Sequence, residues 1–270
     1  MATVSTVSTG RVVGKWQGAW LQVEGRWTWY RRHWVSTLYS TGLQPVLFLA
    51  AMGLGFGSQV RPGAVTGGLS YLQYIAPALL AAGAAQQAVG ESSYPVLSGF
   101  KWQKDYLAVT ATPVSPGQVF GGHLIWSALR LTLAGAIYAF VALFFGAWTG
   151  PGVLLVVLAG TVTGLACTTP MSALAARTFD EGQRFGLIFR FVVMPMTLFS
   201  GTFFPISQLP AAIRWLAWLS PLWHGTQLAR GVSIGGVGGW TMLGHFAVLT
   251  ALFAAGWVLA HRAFYRRLVV

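Results

Sequence analysis

The sequence predicts an all-α integral membrane protein with six transmembrane helices. An amphipathic interfacial helix precedes them, and a re-entrant extracellular hairpin precedes the last span. Three observations carry this fold class. Charge is scarce: 270 residues hold 17 Lys+Arg and 5 Asp+Glu, and positions 34–60, 62–90, 131–176 and 231–261 hold none. Ionised side chains are costly in hydrocarbon, and about 20 apolar residues are needed to cross it. The composition, 55% hydrophobic and 8% charged, departs from the roughly 25% charged residues of globular chains. Proline, glycine and charge also fall at the ends of the uncharged stretches rather than at random.

The elements follow in order. Residues 1–33 form a polar, basic N-terminal segment without an apolar h-region, so no cleavable signal peptide is expected. Trp16, Trp20, Trp27 and Trp34 fall roughly on one helical stripe among Arg11, Lys15, Arg26, Arg31 and Arg32. That is the composition of a helix lying in the membrane interface. Residues 34–270 form the transmembrane domain. Span one covers about 37–57, with Pro45 and the ladder Gly53, Gly55, Gly57 near its far end. That glycine run lacks the Lys-Ser/Thr of a phosphate loop. Span two covers about 69–90 and is closed by Glu91. The polar segment 91–117 breaks the pattern and holds a short helix around 100–110, ended by Pro113, Pro116 and Gly117. Span three covers 118–145 and contains Arg130; span four covers 153–176.

Span five is irregular. Only 14 uncharged residues separate Arg190 from Pro205, with Pro195 among them. A crossing helix must therefore start near Gly186, giving 186–204, with Arg190 snorkelling to its own side. Residues 205–222 are apolar but bounded by prolines, which suits a re-entrant or interfacial hairpin better than a seventh span. Span six covers about 240–260, ahead of the basic tail HRAFYRRLVV.

Six spans place both termini on one side. That side collects Arg11, Lys15, Arg26, Arg31, Arg32, Lys101, Lys104, Arg177, Arg184, Arg190, Arg262, Arg266 and Arg267, and the other only Arg61, Arg214 and Arg230. The positive-inside rule makes the first side cytoplasmic. The net charge of +12 is thus distributed at span ends with no long basic run, which points to anionic lipid rather than nucleic acid. Cys167 is the sole cysteine, so no internal disulfide is possible.

The residues offer no catalytic centre. The five acids map to loops or span ends, the five histidines are scattered, and there is no metal-ligand spacing and no nucleotide-binding motif. Without an acid in mid-span, ion-coupled transport is disfavoured. Arg130 is the one charge near the middle of a span. It reads either as a contact for an anionic substrate or a subunit interface, or as a snorkelling residue near the surface. The helix around 100–110 presents Phe100, Trp102, Tyr106 and Leu107 beside Lys101, Lys104 and Asp105, a candidate anchor for a soluble partner or a helix resting on the membrane.

Three stretches resemble one family: Glu91-Ser-Ser-Tyr94 with Gln103-Lys-Asp-Tyr106 and Ala111-Thr-Pro-Val-Ser-Pro116; Ser200-Gly-Thr-Phe-Phe-Pro-Ile-Ser-Gln-Leu-Pro210; and Leu219-Ser-Pro-Leu-Trp-His-Gly225 with Arg230-Gly231. In this order and spacing they resemble permease subunits of type-2 ABC exporters, of the nodulation-protein-J-like and daunorubicin-resistance-like kinds. The resemblance marks Glu91, Tyr94, Thr112, Pro113, Gly201, Pro205, Pro210, Pro221 and Gly225 as family-motif positions. It implies that Phe100, Lys101, Trp102, Lys104, Asp105 and Tyr106 couple the chain to an ATPase. It further implies two separate P-loop ATPase subunits carrying ATP and Mg, a second permease copy (identical or a close paralogue), and a bacterial inner membrane. The chain itself would carry no cofactor and no enzymatic activity. The cargo so implied is amphiphilic or hydrophobic: a glycolipid, a polysaccharide-lipid intermediate or a drug. The alternatives are an ion-coupled secondary carrier and a scaffold that anchors a soluble partner.

Overall fold

The computed structural model describes residues 14–33, 35, 44–55, 57, 59, 63 and 66–269. Expectations placed on residues 1–13, Trp34, 36–43 and Arg61 lie outside these. Every regular element among the described residues is helical.

Helix α1 (Lys15–Arg32) buries Ala19, Val23 and Tyr30 on one stripe and exposes Trp16, Trp20, Trp27 and Trp29 on the others. Its buried stripe packs on α6 (Pro116–Phe144). Helix α2 (Gln44–Ala50) runs on as a π turn, Ala51–Gly55. Helix α3 (Tyr71–Ser92) starts at a capping box between Ser70 and Gln73 and carries Pro77 inside. The same device, Ser115 with Gln118 and Pro116 in the first turn, starts α6.

Helix α7 (Val153–Ala176) is the centre of the molecule, touching α3, α6, and two further helices, α11 (Pro221–Ile234) and α12 (Gly239–Leu268). Small residues make that crowding possible. Ala76, Ala78, Ala81, Ala82, Ala84, Ala85 and Ala88 of α3 are buried, as are Ala159, Ala166, Ala173, Ala175 and Ala176 of α7. In lipid, close backbone approach and van der Waals contact replace the hydrophobic effect as the reason helices associate.

Helices α6, α7 and α12 are each long and apolar enough to cross a membrane. They overlap the ranges expected for spans three, four and six, and α3 overlaps the range expected for span two. Differences appear at the irregular elements. The last helix continues to Leu268 through what reads as a basic tail, because Phe264 and Leu268 are buried. Expected span five is a chain of short pieces: α8 (Gln183–Ile188), a π turn (Phe189–Val193) and α9 (Met194–Phe199), ending at Ser200 instead of 204. Pro195 lacks the N–H an α-helix would need, and the π turn lies just ahead of it. The expected hairpin 205–222 resolves into a 3-10 turn (Ile206–Gln208), α10 (Ala211–Leu219) and α11, whose arm runs to Ile234.

Candidate functional site

The helix expected over 100–110 is two helices. Helix α4 (Tyr94–Phe100) ends, the chain turns through 101–104, and α5 (Asp105–Thr110) folds back. The Ser98 carbonyl accepts from the amides of Trp102, Gln103 and Lys104, and Lys104 takes a left-handed conformation, φ 58°. Gly99 makes the reversal possible: a Cβ there would stand 2.6 Å from the Tyr106 ring. The Phe100 and Tyr106 rings then meet edge to face at 4.9 Å, and Phe100 meets Phe264 of α12 at the same distance.

This turn divides the six candidate coupling residues. Phe100 and Tyr106 are buried, whereas Trp102 is 48% exposed. Tyr106 therefore is core, and an uncoupling substitution there would also open a cavity. Its hydroxyl accepts from Arg26 Nη2 of α1 at 2.9 Å. Arg26 Nη1 lies 3.3 Å from His123 Nδ1, and His123 Nε2 lies 3.5 Å from Ser92 Oγ. Helices α1, α3, α5 and α6 are thus joined at one end of the bundle. Lys101 Nζ reaches Glu181 Oε1 at 2.6 Å. That hydrogen bond from Lys101 holds the Glu181 carboxyl below its ordinary range. Asp105 sits in the first turn of α5, where a carboxylate suits the free amides.

Arg130 is engaged within the chain. Its Nη2 and Nε lie 2.9 and 3.1 Å from Glu91 Oε1, Gln87 Nε2 donates to the same oxygen, and the guanidinium stands 4.9 Å from the Tyr30 ring. A low-dielectric setting favours such a pairing over a lone charge. Two lone opposite charges on antiparallel neighbours, α3 and α6, were the available signal.

The remaining family-motif residues shape turns. Tyr94 packs edge-on against Phe185, and Thr112 Oγ1 donates to the Val109 carbonyl before Pro113. Gly201 is left-handed, φ 78°. Pro205 and Pro210 precede the 3-10 turn and α10, and Pro221 opens α11. A Cβ on Gly225 would fall 2.1 Å from Thr163 Oγ1 of α7, so α11 can lie on α7 only with glycine there.

Two arrangements at the opposite end escaped the sequence. Arg230, which reads as a loop cation, is buried. Its Nε donates to the Tyr74 carbonyl at 3.1 Å, Nη1 to Gly201 O at 2.7 Å and Nη2 to Thr202 O at 2.9 Å, with the Tyr74 ring 3.9 Å away. Thr226 Oγ1 donates to Ser200 O, and Ser200 Oγ to Ser220 Oγ. One face of α11 thus clasps the break after α9. The histidines are also less scattered than they read. His224 Nδ1 lies 2.9 Å from His245 Nδ1, and His224 Nε2 lies 2.9 Å from the Trp218 carbonyl. A carbonyl only accepts, so Nε2 carries a proton and neutral His224 accepts at Nδ1 from His245.

A sequence profile of the ABC-2 type transporter family matches residues 20–234, well over half of the chain. The chain belongs to the ABC-2 type transporter family. Nodulation protein J of Rhizobium leguminosarum bv. viciae is 26% identical over 232 residues, covering 86% of this chain and 86% of that one. Nodulation protein J of Bradyrhizobium diazoefficiens is 28% identical over 221 residues, covering 81% of each. The inner membrane transport permease YadH of Escherichia coli (strain K12) is 24% identical over 195 residues, 72% of this chain and 73% of that one. The matched region of this ABC-2 transporter permease runs from the middle of α1 to the end of α11. It therefore includes the α4–α5 turn, the Glu91–Arg130 pair and the Arg230 clasp.

Proposed function

We propose that this chain is the permease subunit of an ATP-driven exporter and carries an amphiphilic or hydrophobic cargo out of the cytoplasm or the inner leaflet. ATP and Mg would bind two separate P-loop ATPase subunits, and two permease copies would line the route. In this reading the chain crosses a bacterial inner membrane six times with both termini cytoplasmic. Helix α1 lies in the interface, and α10 with the start of α11 forms the re-entrant hairpin on the far side. The basic residues of the α1 end support that orientation, and the likeness to an inner membrane transport permease supports the location. Leu187, Phe191, Val192 and Leu198 are exposed on the span-five pieces and suit contact with lipid or with the second copy.

One observation carries the coupling assignment. Trp102 stands exposed on a turn whose two supports, Phe100 and Tyr106, are locked into the bundle core. A push on Trp102 is therefore passed to α12 through Phe264 and to α1 through Arg26, as a two-state rearrangement requires. The test is purification of the chain in mild detergent with co-expressed proteins, followed by ATPase assay and stoichiometry. Recovery of one ATPase subunit per permease, with substrate-stimulated hydrolysis lost in Trp102→Ala, is expected. Recovery of the permease alone, or unchanged stimulated hydrolysis in that variant, would move the carrier or scaffold readings ahead.

A further inference from the structure

Beside Trp102, on the same end of the bundle, stands a second exposed aromatic on a different loop. Phe179 follows α7 and is 73% exposed. It is not loosely hung. The Arg267 guanidinium from the end of α12 lies 4.6 Å from the Phe179 ring and 4.4 Å from the buried Phe100 ring. Its Nη1 donates to the carbonyls of Ala175, Ala176 and Thr178 at 3.2, 3.0 and 2.6 Å, which caps the end of α7. Lys101 bonded to Glu181 ties the two loops a second time, and the Trp102 indole also acts on the Glu181 carboxylate. The spacing between Trp102 and Phe179 is thereby fixed from below by Arg267 and from the side by Lys101–Glu181.

The charge around this pair says what it suits. The chain has five acids and a net charge of +12. Three of those five acids, Asp105, Asp180 and Glu181, lie in these two loops, among Lys101, Lys104 and Arg184. On α1, by contrast, Lys15, Arg26, Arg31 and Arg32 stand with a single acid, Glu24, an excess of cations that suits anionic lipid. In the two loops the acids offset the cations, so a headgroup layer gains nothing. Exposed aromatics inside a rim of mixed charge describe instead the anchor of a protein interface.

We propose that the partner ATPase seats on a composite surface made of both loops, with Trp102 and Phe179 as paired anchors and Arg267 as the residue that positions the second. The inference rests on the coupling reading above and extends it to the loop after α7.

The full permease, co-expressed with its P-loop ATPase, is purified in detergent, and ATPase retained per permease is measured for Trp102→Ser and Phe179→Ser. Both side chains are exposed, so permease yield and melting should not change. Each variant should lower retained ATPase about tenfold or more, the loss an interface anchor produces. If Trp102→Ser loses the ATPase and Phe179→Ser keeps it, the composite surface is wrong and the coupling reading stands. If both keep it, both fall. A photo-crosslinking residue at 179 should label the ATPase; labelling of phospholipid instead overturns the proposal. In Arg267→Gln, labelling from 179 should drop while labelling from 102 persists, and equal labelling from both would remove Arg267 from the positioning role. Lys101→Glu and Glu181→Lys should each weaken retention and the double swap restore it; a double swap no better than the singles counts against the tie between loops.

Discussion

Replacing Arg230 by Met tests whether the break after α9 is held by α11. The guanidinium satisfies three carbonyls from two chain segments, at 2.7 to 3.1 Å. Hydrogen bonds to a charged group are worth about 1.5–3 kcal/mol each, and a buried carbonyl left without a donor costs about 1–3 kcal/mol. Against this, Met removes the penalty of keeping a cation out of water, itself several kcal/mol. The net loss should be about 2–4 kcal/mol, below the sum of the three bonds. At roughly 2–4 °C per kcal/mol for a chain of this size, melting of the purified permease should fall by about 5–15 °C. Arg230→Lys should do no better than Met. It keeps the desolvated charge but has no planar fork to reach the Tyr74, Gly201 and Thr202 carbonyls together. A Met variant melting within about 1 °C of the wild type would refute the clasp, because the three carbonyls would then have found other donors. A Lys variant equal to the wild type would show that charge alone, not the fork, is what the site uses.

Other outcomes follow from the same contacts. Gly225→Ala should cost about 1–3 kcal/mol by overpacking Thr163, and Thr163→Ala in the same chain should recover part of it in a thermal melt, since the residue-163 Cβ still lies 2.8 Å from the new one. Glu91→Gln should cost about 1–3 kcal/mol by leaving Arg130 without its carboxylate, and adding Arg130→Met should return part of that loss; additive losses would mean the two side chains do not interact. The Lys101–Glu181 contact carries a pH dependence. The Glu181 carboxyl is held down, so its contribution is complete above the ordinary carboxylate range and lost as pH falls through the lower folded value. The difference in melting between wild type and Glu181→Gln should be present at neutral pH and vanish as the carboxyl is protonated in acid; a difference that acidification leaves unchanged would contradict the contact.

The regular part of the fold was legible because one force sets it. Uncharged runs of membrane length became α6, α7 and α12. The site was legible only where composition is local. Residues 91–117 stood out as polar, yet the reversal at 101–104 did not. It depends on Gly99 making room for a ring seven residues on, a tertiary fact that helical periodicity does not encode. The same limit hid Arg230. Residues 220, 223, 226 and 230 fall on one helical face, but nothing local says that the Ser200–Thr202 carbonyls will lie under it. Arg130 differs: its counter-charge, Glu91, is visible at the end of expected span two, but the pairing of two spans is not encoded in either one alone.

The two ends of the molecule now differ in kind. At the α1 end, aromatic rings and guanidinium groups join α1, α4, α5, α6, α7 and α12 into one block. Blocks of this sort move as units, because close-packed interiors switch between arrangements rather than bend. Flexure must then fall where helical hydrogen bonding is already irregular: the π turns at Ala51–Gly55 and Phe189–Val193, and the Pro195–Gly201 stretch that follows the second of them. Arg230 holds the far boundary of that stretch to α3, which packs directly on α7. If Trp102 takes the proposed coupling role, a push there would reach the far end of the bundle through α7 and α3 rather than through the short pieces over 183–199. On that path the Arg230 carbonyl bonds are the contacts that must rearrange if α9 is to move independently of α11.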